Sequence, residues 1–292
     1  MKRILTFCLC LALIASLAVP ALADTTSRCA VIGANLTEEQ VAAVYRQFGI
    51  RRGEVLELTL TNAEERHYLE GLVADSVIGT RSISCVYVEL LPSGSGINVT
   101  TSNVTWCTGQ MYVSALATAG VTDARVLVAA PFEVSGTAAL AGVYKAYEEM
   151  TGARLDDTAK LVSTQELTIA GDLAQQIGSE DSTSIIGDLK LMLNETKNMS
   201  DDEMRSLIIG IAERYNVKLT ETQINQLITL CRSLENLNPD QLRQRVESVQ
   251  GTLQKMSEAK DKVVGFAETL KVFLESVSDF FDKIRELMDK FN

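Results

Sequence analysis

The sequence predicts an α+β fold in which a small mixed-sheet domain is followed by a helical domain. Up to residue 152, runs of β-branched residues alternate with helix-starting motifs, and beyond it only helix starts remain. Glycine falls from 12 residues in 24–152 to 6 in 153–292, which fits this change of architecture. We therefore expect an α+β domain over 24–152, a helical domain over 153–238, and a long amphipathic or coiled-coil-like helical segment over 239–292.

The first domain carries two capping boxes, the reciprocal hydrogen-bonding motif of helix starts. A box at residues 37–40 predicts a helix that ends at Gly49, and a box at residues 61–64 predicts a helix that reaches about Val73. Residues 55–60 lie between these helices and alternate between apolar and polar side chains, which predicts a strand.

A β-hairpin is predicted next along the chain. Residues 82–91 and 97–107 are β-branched and threonine-rich, and a glycine turn separates them. A helix at 110–119, a buried strand at 125–130 and a helix at 136–150 follow. From residue 55 the order is strand, helix, strand, strand, helix, strand, which predicts the split βαβ arrangement of ferredoxin-like sandwiches.

The second half of the chain is predicted to be helical. Further capping boxes begin at Ser163, Ser200 and Thr220, and another begins at Asn238 with Pro239 at the first helical position. These starts define the helical domain over 153–238 and the beginning of the C-terminal segment.

The C-terminal segment, residues 239–292, has an apolar residue at every seventh position. Read as one helix it would span about 80 Å, whereas a globule of this size has a radius of gyration of about 18 Å. The helix must therefore project as a coiled coil or break at Gly251 or Gly265 and fold back. Packing within its own chain and self-association or a partner helix both stay open. The column comprises Leu242, Val249, Met256, Val263, Leu270, Val277, Ile284 and Phe291.

Residues 1–23 have the pattern of a secretory signal peptide. A short basic start is followed by an apolar run and by a small-x-small site that predicts cleavage after Ala23. We expect an extracytoplasmic location, either secreted or in the cell envelope, with no transmembrane span in the mature protein. The mature charge is 25 − 38 = −13. This acidity argues against nucleic acid as a partner, because affinity for phosphate backbones comes mainly from lysine and arginine.

Four cysteines remain after residue 23, and an oxidising compartment permits disulfides between them. Cys85 and Cys107 lie on the two strands of the predicted hairpin. A Cys85–Cys107 bridge and buried free thiols are both consistent with this placement. No CxxC spacing suggests a metal site, and no cofactor is predicted.

Two polar groups of residues are candidate ligand-binding sites. The strand at 125–130 leads through Glu133 to Ser135, Gly136 and Thr137, where backbone donors at a helix start would hold an anion. Thr101 and Asn103 lie near Trp106, and an aromatic ring beside hydroxyl groups suits contact with a sugar or peptide. An ordinary helix start and an exposed strand face are the structural alternatives.

Several motifs together resemble the YpuA-like secreted proteins of Gram-positive bacteria. The likeness covers most of residues 30–240, and its most specific part is the run at 129–140. The other segments that carry it are residues 78–84, 96–105 and 115–120. The resemblance implies a signal peptide and an envelope or extracellular location. It implies no reaction, because that family has no assigned catalytic residues.

These observations favour a non-catalytic envelope module that binds a peptide, a wall polymer or a partner protein. The surfaces expected to bind are the Ser/Thr-rich sheet face and the helical segment 239–292. The alternative is an enzyme acting on a cell-wall or peptide substrate. Its site would be a cleft near Arg81, Glu133, Ser135 and Thr137, and convergence of these side chains would favour it.

Overall fold

A computed structural model describes residues 27–71 and 75–258 of the chain. It confirms the α+β class. The predicted signal peptide and the heptad positions after residue 258 lie outside the described residues. The strands are β1 (Arg28–Gly33), β2 (Leu56–Leu60), β3 (Cys85–Leu90), β4 (Ile97–Val104) and β5 (Ala124–Val134).

Helices form along the whole described chain and predominate after β5. Their bounds are α1 (Glu38–Phe48), α2 (Asn62–Leu69), α3 (Asp75–Ile78), α4 (Gly109–Ala119), α5 (Ala139–Thr151), α6 (Asp157–Ile177), α7 (Ser179–Leu191), α8 (Leu193–Thr196), α9 (Asp201–Arg214) and α10 (Glu221–Leu234). One more helix, α11, occupies residues 239–258, which are the last described residues.

The five strands form one mixed sheet in the order β2-β1-β3-β5-β4. The β1–β2 and β4–β5 pairs are parallel, whereas β3 runs antiparallel to both β1 and β5. Strand β1 occupies an interior position that the sequence analysis did not predict. The ferredoxin-like arrangement is therefore not confirmed.

The predicted hairpin between residues 82–91 and 97–107 is wrong, because β5 lies between β3 and β4. Residues 91–96 cross over the start of β5 and bind it through Asp123. Its backbone oxygen accepts from Leu91 N at 2.7 Å, and its Oδ1 accepts from Gly96 N at 2.9 Å. Six residues easily span the ~10 Å that separates strands two positions apart, whereas a tight hairpin needs about two.

Helices cover both faces of the sheet. Helix α1 packs on one face, where Val44, Tyr45 and Phe48 meet Ile32 and Tyr87. Helices α4 and α5 pack on the other face, and every α4 residue from Gln110 to Ala119 is buried. Helices α6, α7 and α10 contribute to the same main core as α4. The main core thus contains side chains from both sides of residue 152.

Most of the predicted helix starts are confirmed. Capping boxes form at Thr37, Thr61, Ser200 and Thr220, each with its predicted partner three residues later. The box predicted at Ser163 is wrong, because Asp156 caps α6 and Ser163 lies inside that helix. Helix α6 therefore begins before Ser163, and its buried face is longer than that of a helix beginning at Ser163.

Helix α11 folds back onto its own chain. Leu242 and Val249, two members of the predicted heptad column, are 0% and 2% exposed, and Met256 packs against the main core. The described part of the C-terminal segment therefore packs within the chain. No helix among the described residues has the length and apolar character needed to span a bilayer.

The predicted Cys85–Cys107 bridge depended on the predicted hairpin, which does not form. Cys85 packs in the cluster under α1, whereas Cys107 lies in the main core on the other face of the sheet. All four cysteines among the described residues are free, buried thiols. Burial raises the pKa of Cys85 and of Cys107 to about 12, so neither is a ready thiolate nucleophile.

Candidate functional site

The run at 129–140, which is the most specific part of the resemblance, contains a bulge at the end of the sheet. Ser102 pairs with Ala129 and Val104 pairs with Val134, so residues 130–133 loop out of the ladder. Asn103 has a φ of 57° and its Nδ2 donates to Ala130 O at 2.8 Å. The bulge therefore depends on the conformational tolerance of asparagine and on its side-chain amide.

The Ser135-Gly136-Thr137 segment is held by hydrogen bonds within the chain. Ser135 O accepts from Cys107 N at 3.1 Å, and the Tyr112 hydroxyl donates to Gly136 O. Ser135 Oγ lies 3.4 Å from Thr137 Oγ1, and Thr137 is only 2% exposed. This packing leaves the Thr137 hydroxyl unavailable to a substrate.

The remaining predicted site residues serve other contacts or face solvent separately. Arg81 is exposed and donates to Asn35 O at 3.0 Å, while Glu133 is exposed on the bulge. A Cβ at Gly171 of α6 would lie 2.4 Å from Trp106 Cζ2, so the indole packs directly on that glycine. Asn103, Glu133 and Ser135 share one end of β4 and β5. Thr101 is half-buried in β4.

A cleft of about 280 Å³ lies elsewhere, between α4, α7 and α11, and its lining contains none of the eight residues proposed from sequence. One wall is apolar, and the other walls carry amide, hydroxyl and charged side chains. The apolar wall consists of Val246, Val249 and Leu253. The other lining residues are Gln110, Ser114, Glu180, Thr183, Ser184, Gly187, Asp188, Lys190, Tyr215, Gln250, Gln254 and Ser257.

The local sequence explains the shape of the cleft. Val246, Val249 and Leu253 recur at three- and four-residue spacing, which places them on one side of α11. Gly187 lies opposite on α7, and a Cβ built there would meet no atom within 4 Å. The missing side chain keeps the space open, although glycine costs a helix interior about 1 kcal/mol relative to alanine.

A buried ion pair forms the floor of the cleft. Lys190 and Glu166 are 2% and 1% exposed, and Lys190 Nζ lies 2.8 Å from Glu166 Oε1. The same nitrogen donates to Ser114 Oγ at 2.9 Å and to Thr118 Oγ1 at 3.1 Å. Both hydroxyls donate to Glu166 at 2.6 Å. The cluster joins α4, α6 and α7.

This geometry does not resemble a serine–lysine catalytic pair. Such a pair requires a lysine that accepts the serine proton, whereas Lys190 Nζ donates to Glu166 Oε1 at 2.8 Å. The Ser114 proton is directed at Glu166, and its Oγ is occupied by Lys190. The cluster is a satisfied buried network of the kind that fixes helix packing.

The rim of the cleft is acidic. Asp188 accepts from Arg214 and from the Tyr215 hydroxyl, each at 2.9 Å. Burial and the bond to Asp188 raise the pKa of the Tyr215 phenol, which therefore stays neutral as a donor. Glu180 is bonded to Ser257 Oγ, which ties α7 to α11. The rim therefore favours ligands rich in hydrogen-bond donors.

The cleft was not predicted from the sequence. Its floor residues are polar side chains inside apolar helical runs: Lys190 lies between Leu189 and Leu191, and Ser114 and Thr118 are four residues apart in a helix without charges. A buried polar side chain needs a hydrogen-bonding partner, so polar residues inside apolar helical runs were a signal that the sequence already contained. Among the described residues, no group of three or more His, Cys, Asp or Glu side chains is placed to hold a metal ion.

The fold and the cleft define an α+β protein whose helical layer carries a ligand-sized, mixed polar and apolar cleft. The chain belongs to the family described as "Protein of unknown function (DUF1002)", whose model matches residues 32–256. It is 36% identical over 258 residues to "Uncharacterized protein YpuA" of Bacillus subtilis (strain 168), covering 87% of this chain and 85% of that relative. The predicted resemblance to YpuA-like proteins is thus confirmed. No solved structure matches the chain.

Proposed function

We propose that this is a non-catalytic binding protein that works outside the cytoplasm. Its ligand is a wall-derived glycopeptide or a similar peptide-like molecule, held in the cleft between α4, α7 and α11. The observation that carries the proposal is the composition of that cleft. An apolar wall faces amide and hydroxyl groups across a space large enough for a few residues or one sugar unit.

The lining residues match the chemistry of a glycopeptide. Gln110, Gln250 and Gln254 offer both donors and acceptors, which suits backbone amides and N-acetyl groups. The apolar side chains of α11 suit methyl groups and sugar ring faces. The acidic rim at Glu180 and Asp188 suits amino groups, which occur in peptides.

The extracytoplasmic location is supported by residues 1–23. Their basic start, apolar run and small-x-small site are those of a cleaved signal peptide. An envelope protein is the second partner class, and self-association through the part of 239–292 that follows α11 is consistent with the heptad column. Leu242 and Val249 are not available for that contact, because they are buried in their own chain.

The enzyme alternative has less support. It needs Arg81, Glu133, Ser135 and Thr137 to converge on a substrate, yet Thr137 is buried and Arg81 is engaged with Asn35 O. None of these four side chains lines the cleft between α4, α7 and α11.

The proposal is tested by filling the cleft. Gly187→Leu puts a side chain into the open space opposite α11, and Gly210→Leu makes the same change inside α9, where a Cβ also meets nothing within 4 Å. We expect each substitution to raise stability by about 0.5–1 kcal/mol, because glycine is a poor helix former. Only Gly187→Leu should weaken ligand binding, by roughly tenfold or more, through steric exclusion.

The measurement is calorimetric titration of the mature chain, residues 24–292, with soluble glycopeptides released from a Gram-positive cell wall by a muramidase. Thermal unfolding of each variant checks its fold. Equal binding by Gly187→Leu and the natural chain would place the ligand elsewhere. Absence of saturable binding by the natural chain would remove this ligand class.

A further inference from the structure

A second cavity, of about 430 Å³, lies between the C-terminal end of α4, the start of α6 and the α10–α11 connection. Arg154 and Arg245 line it from different elements. The chain as a whole is acidic, with 27 basic and 38 acidic residues. The other lining residues are Ala119, Gly120, Leu155, Asp156, Thr158, Ala159, Asn236, Leu237, Asn238 and Gln241.

The Arg245 guanidinium is the central feature of this cavity. It is half-buried, and its Nη1 lies so close to Gly120 that a Cβ there would be 2.6 Å away. Among the described residues its only hydrogen bond runs from Nε to Gln241 O at 3.2 Å, so neither terminal nitrogen has an acceptor in that part of the chain. Within 27–71 and 75–258, neither Arg245 nor Arg154 forms an ion pair.

Burial without a partner is costly for a cation. Desolvation lowers the pKa of Arg245, and no carboxylate of the described residues offsets this shift. Other arginines of the described chain, such as Arg52, Arg205 and Arg232, lie within 2.8 Å of carboxylates. A half-buried guanidinium with a free fork of donors is the usual arrangement for capturing an oxyanion.

The rest of the lining is compatible with an oxyanion. Asp156 contributes the cavity's carboxylate, and its Oδ1 is used in capping α6, where it accepts from Ala159 N at 2.8 Å. The Thr158 hydroxyl and the Asn236 and Asn238 amides add polar groups. The cavity therefore combines two positive charges with neutral donors and one internally engaged acid.

We propose that this cavity binds an anionic group, a phosphate or a carboxylate, through the guanidinium groups of Arg245 and Arg154. The site is independent of the glycopeptide cleft, although α11 lines both cavities with different residues. Arg245 supplies the buried fork and fixes the orientation of the anion, and the exposed Arg154 closes over it from the α5–α6 connection.

The test is a titration of the mature chain with inorganic phosphate and, separately, with acetate at constant ionic strength, followed by calorimetry and by the shift in Tm. We expect saturable binding of phosphate and a rising Tm, because ligands that bind only the folded state stabilise it. Stronger response to acetate than to phosphate would identify a carboxylate as the natural group.

Three variants assign the effect to the cavity. Arg245→Met should weaken anion binding by roughly tenfold to a hundredfold, as expected for loss of charge-assisted hydrogen bonds. Arg154→Met, at an exposed position that cannot disturb folding, should weaken it by a smaller factor. Arg243→Met is the matched control, because it removes the same charge from the exposed face of α11, where Arg243 pairs with Glu247.

The proposal fails if neither anion binds saturably to the natural chain. It also fails if Arg243→Met weakens binding as much as Arg245→Met, since that result would reflect net charge alone. A purely structural role would show as follows. The natural chain does not respond to anions, and Arg245→Met lowers Tm equally with and without phosphate. Arg245 would then only pack against the C-terminal end of α4.

Discussion

A buried carboxyl group is the clearest electrostatic feature at the scale of single residues. Glu65 in α2 is 0% exposed, Ser82 Oγ and Asn62 Nδ2 donate to it, and it forms no ion pair with a cation of the described residues. Burial raises the pKa of Glu65 to about 7, although these hydrogen bonds partly oppose the shift. Glu65 is therefore protonated in the folded protein at pH values where an unfolded chain would release the proton.

This raised pKa predicts that Glu65 lowers stability as pH rises. Below about pH 4.5 the folded and the unfolded state both hold the proton. Between about pH 4.5 and about pH 7 only the folded state holds it, so the free energy of unfolding falls by roughly 3 kcal/mol across this interval. Glu65→Gln should remove the penalty, so its stability relative to the natural chain should improve by about 2–3 kcal/mol between pH 5 and pH 8. Urea unfolding across this range measures it.

Glu64→Gln is the matched control for Glu65→Gln. Burial tends to raise the pKa of Glu64, but hydrogen bonds from Lys145 and Thr61 outweigh it and lower that pKa. The stability that the Glu64 carboxylate contributes is therefore lost as pH falls. Between pH 5 and pH 8 the effect of Glu64→Gln should therefore stay constant while that of Glu65→Gln grows, and the Glu64→Gln effect should change only below about pH 4.5. A Glu65→Gln effect that is the same at pH 5 and pH 8 would contradict the account.

At the scale of helices and strands, the Lys190–Glu166 pair holds α4, α6 and α7 together. Lys190→Met leaves the Glu166 carboxylate buried without its cation, and we expect a loss of about 3–5 kcal/mol. Adding Glu166→Leu removes the orphaned charge, so the double variant should recover at least half of that loss. Urea unfolding of the single and double variants gives the comparison.

An exposed pair provides the reference for this experiment. Arg243→Met breaks the Arg243–Glu247 pair on the open face of α11 and should change stability by no more than about 0.5 kcal/mol. If Lys190→Met costs as little as Arg243→Met, the buried cluster does not organise the helices. If the double variant is less stable than Lys190→Met alone, the network matters beyond its charges.

Most helix starts were predictable from sequence because they depend on local chemistry, whereas the start predicted at Ser163 and the end predicted near Val73 were not found. The boxes at Thr37 and Ser200 and the left-handed ends at Gly49 and Gly120 were all found where the sequence placed them. Strand pairing was not predictable in the same way. Residues 82–91 and 97–107 look like a hairpin locally, and only the tertiary position of β5 separates them.

The site was less predictable than the fold for a related reason. Ser135, Gly136 and Thr137 have the residue types of an anion-binding loop, but Thr137 is buried, and the carbonyl oxygens of Ser135 and Gly136 accept from Cys107 N and the Tyr112 hydroxyl. Conversely, the cleft brings together residues from α4, α7 and α11, three helices whose lining residues are more than 50 positions apart in sequence. Their side chains form one surface only after the helices have packed.

At the scale of the whole molecule, α11 connects the two proposed ligand sites. Gln241 and Arg245 line the anion cavity, whereas Val249 and Leu253 line the glycopeptide cleft one to two turns later. Helix α11 is anchored by Leu242 and Val249 in the main core, so both sites depend on its packing. The heptad positions after residue 258, where the sequence predicts a partner surface, lie outside the described residues.

The proposed ligand class depends on where the protein works, so the most direct measurement is the mass of its N-terminus in its own host. Envelope, medium and cytosolic fractions are separated, and the protein is recovered from each and digested. We expect the protein outside the cytosol with Asp24 as its first residue. Recovery from the cytosol with Met1 to Ala23 intact would contradict the account, because a wall-derived ligand would then be out of reach.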